Sequence, residues 1–416
     1  MNQITVPAEA DEQRQQITTP RISAEIQAVV AEIDARRDVL RTEGAESEAR
    51  GGLTSAAWDV VRSSGALRTC VPPKFGGYGA NSLESTAVSR ALGRGDGSVA
   101  WVFAIVNSGT WIVSLMAMEA QEEVWATGPD TVVSVVLAPT CTVDKVDGGY
   151  RVSGRWAYGT GSHQADWSLL GMPLVDDAGN EVDGALALIP ASDFTIEQTW
   201  DMAGMRATAS DTQVVDNAFV PEHRILPLTA AIDGTYPGSG INSEISYRTA
   251  FVPALALQLV GPHLGMGRAV SELVIEKART KAIAYTGYTR QADFGASQMA
   301  TAQAELLLET AENTARIIGE DLYGAAAAGT YPDFSQRVAL RARIGYAVQC
   351  VTDAINLMVT VHGSSSFASS SPVQRFWRDQ TVAASHAHSL PATGLEAYGR
   401  VLLGLDEEAR FTMPVL

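Results

Sequence analysis

Two histidines two residues apart, His386 and His388, form the closest imidazole pair in the sequence. An imidazole can exchange protons near neutral pH or bind a metal. Residues two apart point to different faces of a helix, so this pair does not suit a tetrahedral zinc site. The sequence also lacks a His-Glu-x-x-His motif and paired cysteines. We therefore expect no metal site at this pair.

Short cofactor-binding and nucleophile motifs are absent from the sequence. No Gly-x-Gly-x-x-Gly follows a predicted strand, and there is no Walker loop and no Gly-x-Ser-x-Gly elbow. These absences argue against a Rossmann domain, a P-loop nucleotide site and an α/β-hydrolase nucleophile. A cofactor held without a short phosphate motif remains compatible with the sequence.

The composition narrows the class of protein. The 416 residues include 30 Lys and Arg against 47 Asp and Glu, a net charge of −17, which argues against binding nucleic acid or anionic lipid. Hydrophobic residues make up 46%, enough for a large core. Cys70, Cys141 and Cys350 are too scattered for a disulfide framework and are interpreted as packing thiols.

One stretch without charge, between Asp96 and Glu119, is long enough to cross a membrane. Its polar middle and acidic C-terminal flank favour a helix buried inside a large helical protein. Residues 1–16 are polar and contain no apolar signal core. We therefore expect a cytoplasmic protein with no membrane partner.

The hydrophobic pattern changes twice along the chain. Residues 21–128 follow helical spacing, as at Ile26, Val29 and Ile33. From about Val132 apolar and polar residues alternate, which indicates strands, most clearly from Tyr150 to Tyr158. Long helical segments return at 248–290, 296–329, 333–362 and 372–404. We expect three domains: 1–130 helical, 131–228 a small antiparallel β-sandwich or barrel, and 229–416 a helical bundle.

Two prolines, Pro253 and Pro262, lie within the first of these later segments. Proline removes a backbone donor and clashes with the preceding turn. We therefore expect these residues to kink or divide that helix.

Five segments in a fixed order resemble the acyl-CoA dehydrogenase fold. They are VPPKFGGY at 71–78, GYRVSGRWAYGTG at 149–161, GMRATAS at 204–210, FVP at 219–221 and SPVQRFWRD at 371–379. The resemblance implies an α+β, mostly α fold: an N-terminal helical domain, a central antiparallel β-sandwich or barrel, and a C-terminal four-helix bundle. Within this fold the chain resembles the oxygenase components of two-component flavin-dependent monooxygenases. The pointers are the segments 156–167 and 200–206, and the tail in which His386 follows Trp377-Arg378-Asp379.

Dehydrogenases of this fold place a Glu base in the C-terminal loop or on the first bundle helix. The matching positions here are about Ala387, and Pro253 or Ala254. None carries a carboxylate, and without a base an α-proton cannot be removed. This departure disfavours dehydrogenation.

The resemblance implies a reduced flavin, FMNH2 or FADH2, lying between the β domain and the bundle. A separate NAD(P)H:flavin reductase would deliver it, and O2 would be the co-substrate. The expected flavin C4a-hydroperoxide would hydroxylate a small aromatic substrate that is phenolic, polycyclic or indolic. The same resemblance implies a homotetramer.

The resemblance also implies roles on the flavin side of the site. Thr160 would face flavin N5, unless it is an exposed threonine at the end of a strand. Tyr158 would lie beside the flavin, unless it belongs to the sandwich core. Further flavin contacts would come from a loop, whose Arg206 could equally form a structural ion pair, and from a bundle helix. The implied cofactor-binding residues are Tyr158, Thr160, Gly161, Arg206, Thr208, Ser210 and, for the phosphate, Arg279, with Lys281 and Arg290 as competitors.

His386 matches the C-terminal active-site histidine of the monooxygenases that this chain resembles. With a near-neutral pKa it would take a phenol proton or donate to the peroxide; otherwise it is a satisfied histidine at a helix end. His388 is interpreted as surface or support. His163 lies one place before the usual histidine, where this chain has Gln164, so its role stays open. Phenol hydroxylases often carry a substrate-binding histidine at about Gly109, and its replacement by glycine predicts a roomier pocket.

Three alternatives remain open at the level of sequence. An amine or sugar N-oxygenase similar to nitrososynthases would share the fold but need no phenol-deprotonating base. An acyl-CoA dehydrogenase and a noncatalytic helical assembly protein are the others. The sequence leaves open the substrate, the position of oxygenation, and the choice between FMN and FAD.

Overall fold

The computed structural model describes residues 21–413 of the chain. The polar residues 1–16, where we expect no signal core, lie outside this range. The first third of the described chain is helical. Its helices are α1 (Ala24–Ala35), α2 (Arg37–Arg50), α3 (Ser55–Ser63), α4 (Ser82–Gly93), α5 (Gly97–Val113) and α6 (Met118–Val124).

Eight strands follow and form two four-stranded sheets. They are β1 (Val133–Val136), β2 (Cys141–Val146), β3 (Gly149–Trp156), β4 (Trp167–Val175), β5 (Glu181–Pro190), β6 (Phe194–Glu197), β7 (Thr212–Pro221) and β8 (Ile225–Pro227). One sheet has the order β1-β4-β5-β8 and the other β2-β3-β7-β6. β1 and β4 run parallel, whereas the other pairs are antiparallel. Tyr150, Val152 and Trp156 are buried on β3, as their alternation predicts.

The remaining helices complete the chain and build the bundle. They are α7 (Leu228–Ile232), α8 (Phe251–Gln258), α9 (Val260–Ala278), α10 (Gly295–Ala327), α11 (Phe334–His362), α12 (Pro372–Ala384), α13 (Pro391–Leu402) and α14 (Asp406–Thr412). Pro253 and Pro262 each lie in the first turn of a helix, where a missing N–H costs little. They divide the predicted segment as expected. Its helical part ends at Ala278 rather than at residue 290, and the chain continues in turns, in which Tyr285 has a φ of +60°.

Helix α5 is the centre of the packing. All of its 17 residues are buried, as the uncharged stretch predicts. Its N-cap Asp96 accepts a hydrogen bond from the Val99 amide at 3.0 Å. The helix packs against α4, β1, α9 and α12, so it connects the N-terminal helices, a sheet and the bundle.

The predicted continuous helix 372–404 is wrong, because the structure breaks it between Ala384 and Pro391. Proline has no N–H for an intrahelical bond and disfavours helical backbone in the residue before it. Leu390 accordingly has extended dihedrals, with φ −57° and ψ 118°. The break creates a turn at 385–390, and His386 lies in that turn.

Within residues 21–413, one helix has the length and composition of a membrane span, Phe334–His362, with a mean hydropathy of 1.3. Of its most apolar window, 61% is buried against the rest of the chain. Burial in a protein core accounts for its apolar character.

The expectation that Gly109 opens the pocket is wrong. A Cβ atom built on Gly109 would lie 2.3 Å from the backbone oxygen of Val133 on β1. The space that a side chain would need is filled by the sheet. Gly109 therefore allows α5 and β1 to pack closely and does not widen a substrate site.

Replacing Gly109 with alanine should lower the free energy of unfolding by about 1–3 kcal/mol, because the methyl group would overlap backbone atoms of β1. Urea unfolding followed by circular dichroism measures the change. Gly399→Ala is the matched control, since Gly399 is also helical but nothing lies within 4 Å of its ideal Cβ. That variant should gain about 0.5–1 kcal/mol from helix propensity. Equal stability of Gly109→Ala and the parent would contradict the close contact.

Candidate active site

His386 lies in the turn after α12 and packs against an aromatic ring of α5. Its imidazole makes an edge-to-face contact with Trp101, with ring centroids 5.3 Å apart. The His388 ring lies 5.6 Å from the His386 ring. Both histidines are only partly exposed. The turn thus brings the two imidazoles to the side of the buried helix.

A third histidine, His263 on α9, joins this group and was missed by the sequence reasoning. It is fully buried, and its ring contacts Trp101 at a centroid distance of 5.9 Å. Its Nδ1 lies 2.9 Å from Gln380 Oε1, and its Nε2 lies 3.2 Å from Ser389 Oγ. More than a hundred residues separate His263 from His386, and no spacing motif connects them, so only the packing of α9 against α12 reveals the cluster.

Arg341 on α11 binds the backbone of the turn that contains His386. Its Nη2 donates to the carbonyl oxygens of Ala387 at 2.7 Å and Leu390 at 3.1 Å. The residue is 2% exposed, and burial lowers the pKa of its guanidinium to about 10. These bonds satisfy two carbonyls of a segment that has no helical partners. The guanidinium also places a positive charge near the imidazoles of His386 and His388.

The environment keeps His386 neutral at physiological pH. Burial, and then the charge of Arg341, lower the pKa of His386 to about 4. The expected near-neutral pKa is therefore wrong. Its Nδ1 accepts a hydrogen bond from the backbone N–H of His388 at 3.2 Å. An acceptor nitrogen carries no hydrogen, so the hydrogen of the neutral ring is on Nε2.

A second group of side chains forms a chain of hydroxyls between β3 and the loop before β7. Thr160 Oγ1 lies 2.6 Å from Ser210 Oγ, which lies 2.8 Å from Thr208 Oγ1. All three residues are buried. Thr160 is therefore not the exposed strand-end residue of the alternative interpretation. The structure brings together three of the predicted cofactor-binding residues.

Tyr158 is on the surface beside this chain of hydroxyls. Its side chain is 68% exposed, which excludes the alternative of a sandwich-core residue. Its ring makes an edge-to-face contact with Trp200, at a centroid distance of 5.7 Å. The pair presents an exposed aromatic surface next to Thr160.

The backbone is strained on both sides of the hydroxyl chain. Tyr158, Met205 and Ala209 have φ values of +63°, +53° and +43°, in the left-handed region that non-glycine residues rarely adopt. Such strain concentrates at functional sites. Gly161 also has positive φ, and a Cβ built on it would lie 2.6 Å from Val106 Cγ1 of α5. Glycine thus lets this segment press against the buried helix.

The basic residues predicted to bind the flavin have different environments. Arg206 donates to the Met202 carbonyl at 3.0 Å and lies 3.4 Å from Asp201 and 4.0 Å from Glu48. These contacts favour the structural ion pair for Arg206. Arg279 is exposed at the end of α9, about 24 Å along the helix from His263 at 1.5 Å per residue. Arg279 is therefore not part of the histidine cluster.

The two competitors of Arg279 already have partners. Lys281 Nζ donates to the His362 carbonyl and to Ser365 Oγ. Arg290 forms an ion pair with Asp293 at 2.7 Å. Arg279 thus remains the candidate for a phosphate contact among the three.

His163 supports the loop that carries Trp200. Its Nε2 lies 2.7 Å from Asp211 Oδ2, and Asp211 Oδ1 accepts hydrogen bonds from the amides of Thr199 and Trp200. Burial alone would raise the pKa of Asp211, but these hydrogen bonds outweigh it and lower the pKa. The geometry gives His163 a structural partner.

Comparison with known proteins places this geometry in a family. The acyl-CoA dehydrogenase N-terminal domain model matches residues 23–128, and the acyl-CoA dehydrogenase C-terminal domain model matches residues 257–391. The structure of XiaF from Streptomyces sp., in complex with FADH2 and glycerol, superposes with a TM-score of 0.84 at 32% identity, over 96% of this chain and 98% of that one. The chain belongs to the flavin-dependent monooxygenases of the acyl-CoA dehydrogenase fold.

Curated relatives of this family match over nearly their whole length. Oxygenase subunit HsaA of a flavin-dependent monooxygenase from Rhodococcus jostii (strain RHA1) is 29% identical over 375 residues, 90% of this chain and 97% of the relative. The oxygenase component of an FADH2-dependent resorcinol hydroxylase from Rhizobium sp. (strain MTP-10005) is 28% identical over 399 residues, 92% and 96% of the two chains.

The residues around Thr160 fit the flavin that these monooxygenases use. Tyr158 and Trp200 offer an aromatic surface to a planar ring system. Two buried atoms close by, Ser162 Oγ and Gln164 Oε1, have no hydrogen-bond partner within the described part of the chain. An unsatisfied buried polar atom costs about 1–3 kcal/mol, so a ring with polar edges would be favoured there.

The histidine cluster makes stability depend on pH. Burial lowers the pKa of His263 from 6.5 to about 4. Between these values the unfolded chain binds more protons than the folded protein. The contribution of the neutral His263 to the free energy of unfolding is therefore fully present above pH 6.5 and is lost as the pH falls toward 4. From pH 7 to pH 5, the free energy of unfolding of the parent should fall by about 1–2 kcal/mol more than that of His263→Gln. Urea unfolding at pH 5, 7 and 8 measures this difference.

Between pH 7 and pH 8 the two proteins should change in parallel, because the imidazole is neutral in both states. Equal losses between pH 7 and pH 5 would contradict a neutral buried His263.

Proposed function

We propose that this protein is the oxygenase component of a two-component monooxygenase that hydroxylates a phenolic, polycyclic or indolic substrate. It would use a reduced flavin, FMNH2 or FADH2, and O2. The bound flavin supplies the activation of O2 and the transfer of one of its oxygen atoms. The relatives named as oxygenase components support this assignment at the level of the family.

One observation carries the proposal. The turn at 385–390 has Ala387 where a dehydrogenase of this fold would place its Glu base, and it has His386 beside Trp101 instead. Pro253 and Ala254, at the other base position, are buried in α8 and carry no carboxylate. The turn therefore supplies a neutral imidazole against an aromatic wall, which suits an aromatic substrate better than α-proton removal.

We propose that His386 acts through its Nε2–H. With Nδ1 engaged by the His388 amide, the ring donates a hydrogen bond from Nε2 to a substrate oxygen. Arg341 adds positive charge near the same oxygen and would favour a phenolate over a phenol. A phenolate ring is richer in electrons, which favours attack by an electrophilic oxygen. In this proposal, His386 forms a hydrogen bond to a substrate anion and does not itself remove the proton.

On the flavin side, we propose that Thr160 directs its hydroxyl to the ring nitrogen N5, with Ser210 and Thr208 orienting it. Tyr158 and Trp200 would pack on the ring and exclude water. Gly161 would let the segment approach α5. Arg279 would contact the phosphate, while Arg206 shapes the loop.

We further propose a separate NAD(P)H:flavin reductase as partner, a homotetramer, a cytoplasmic location, and domains at 1–130, 131–228 and 229–416. The exposed Met299, Leu306 and Ile317 on α10 support contacts between subunits, because exposed apolar side chains on one helix favour association. The relatives' designation as oxygenase components supports a separate reductase.

The test supplies the purified protein with a flavin reductase, NADH, O2 labelled with ¹⁸O, and a panel of phenols, naphthols and indoles. A product containing one ¹⁸O atom supports the proposal. His386→Ala should lower product formation roughly 100-fold, since positioned hydrogen-bonding and proton-transfer groups contribute about 10²–10⁴. His223→Ala is the matched control, because His223 pairs with Glu123 away from the turn.

Release of all O2 as hydrogen peroxide with every substrate would contradict hydroxylation. Oxygenation of amines with little effect of His386→Ala would support the N-oxygenase alternative instead.

Thr160→Val removes the hydroxyl but keeps the size of the side chain. We expect the fraction of reduced flavin that yields hydroxylated product to fall about tenfold, with hydrogen peroxide formed instead, because the loss of one hydrogen bond of about 1.4 kcal/mol gives a factor of ten. Thr160→Ser should restore most of the coupling. Product and peroxide are quantified together, and equal coupling in all three proteins would exclude a role for the hydroxyl.

A further inference from the structure

A buried carboxylate lies where α12 meets the start of α5 and the loop before β7. Asp379 on α12 is 3% exposed. Its Oδ1 accepts a hydrogen bond from the Met205 amide at 2.5 Å. Its Oδ2 is so close to the first turn of α5 that a Cβ built on Gly97 would lie 3.3 Å from it. The carboxyl group therefore contacts both the loop and the buried helix.

The loop held by Asp379 has a second tether on the same helix. Arg378 Nη1 donates to the Ala203 carbonyl at 2.5 Å and also pairs with Glu48 of α2 at 2.7 Å. A Cβ built on Gly204 would lie 2.3 Å from the Arg378 backbone oxygen, so the loop backbone lies directly on α12.

The loop needs such tethers because its backbone is strained. Met205 and Ala209 are non-glycine residues in the left-handed region. Each such residue costs about 1–2 kcal/mol, and it persists only when its surroundings determine it. The conformation of residues 203–210 therefore depends on contacts with α12 rather than on local preference.

Met205 connects the tethered loop to the proposed flavin side of the site through hydrogen bonds. Its carbonyl oxygen accepts hydrogen bonds from Trp200 Nε1 at 2.8 Å and Thr208 Oγ1 at 2.9 Å. Thr208 leads through Ser210 to Thr160. The backbone N–H and C=O of one residue, Met205, thus join Asp379 to both the aromatic surface and the hydroxyl chain. Asp379 itself lies seven residues before His386.

Helices α2, α5 and α12 carry charged groups close to Asp379. Asp96 at the start of α5, Glu48 of α2, and Arg375 and Arg378 of α12 are the charged neighbours. Burial, then the charge of Asp96, raise the pKa of Asp379 to about 7. Burying this carboxylate costs free energy even beside Arg375, so a position that needed only packing would be better served by an apolar side chain.

We propose that Asp379 is a positioning residue for the monooxygenase reaction. Arg378 supports it by binding the Ala203 carbonyl of the same loop. By fixing the Met205 amide on α12, the Asp379 carboxyl group sets the Thr160 hydroxyl and the Trp200 ring relative to His386. This inference rests on the proposed function, because it assigns the flavin to the Thr160 side and the substrate to the His386 side.

The test compares Asp379→Ala, Asp379→Asn and Asp177→Ala by two measurements. The first is backbone hydrogen–deuterium exchange of residues 200–211 without flavin, and the second is the dissociation constant of reduced FMN and FAD under anaerobic conditions. Asp379→Ala should speed the exchange of this segment and weaken flavin binding about tenfold, since it leaves the Met205 amide without its acceptor. Asp379→Asn keeps an acceptor oxygen and should remain within about threefold of the parent.

Asp177→Ala is the matched control, because it also removes a carboxylate, but the Asp177 side chain is 91% exposed and pairs with Lys145 on β2 rather than with this loop. It should leave both measurements unchanged. If Asp379→Ala does not fold, Arg378→Met is measured in its place, with faster exchange of the same segment and weaker flavin binding expected.

The outcomes separate this inference from the proposed function. A parent that binds neither reduced flavin would overturn the proposed function, while the exchange measurement would still test the tether. A parent that binds flavin, with unchanged exchange and affinity in Asp379→Ala or in Arg378→Met, would overturn the positioning role. Equal impairment by Asp379→Asn and Asp379→Ala would also overturn it, since it would point to the charge rather than the hydrogen bond.

Discussion

The complete burial of α5 is the constraint on which the candidate site depends. A helix without a solvent-facing side must be covered on every face, so each neighbouring element is fixed against it. The Trp101 ring contacts the His386 ring, and Val106 lies against the segment that contains Gly161. Gly109 lets the backbone of β1 pack closely on the helix. The first turn of the same helix lies against Asp379. Both halves of the site are thus positioned relative to one rigid element.

The electrostatics of the site follow from this packing. Three imidazoles and one guanidinium lie in a region from which water is largely removed, so the imidazoles remain neutral and the charge belongs to Arg341. Neutral rings can donate or accept hydrogen bonds without bringing further charge into the core. A region with one fixed positive charge suits a substrate that carries partial or full negative charge on oxygen.

The sequence predicted the helix–sheet–helix order, the buried uncharged helix and the main strands, because periodicity depends on local burial. The resemblance also predicts site roles for Thr160, Ser210, Thr208 and His386, and the structure brings the first three of these residues together. The sequence reasoning failed at 385–390, where Pro391 stops a helix whose composition otherwise favours continuation. It also failed at Gly109, since no sequence pattern shows that a backbone carbonyl fills the space beside a glycine.

The sequence by itself determined the order of helical and strand segments, the division of the first bundle segment near Pro253 and Pro262, and which residue types are available for chemistry, because these properties depend on neighbours along the chain. Only the tertiary structure decided that His263 and Arg341 surround the turn of His386, and that Asp379 holds Met205. These contacts join residues 46 to 174 positions apart. Desolvation and charge act through space, so the pKa of an imidazole and the orientation of a hydroxyl are settled only when distant elements pack together.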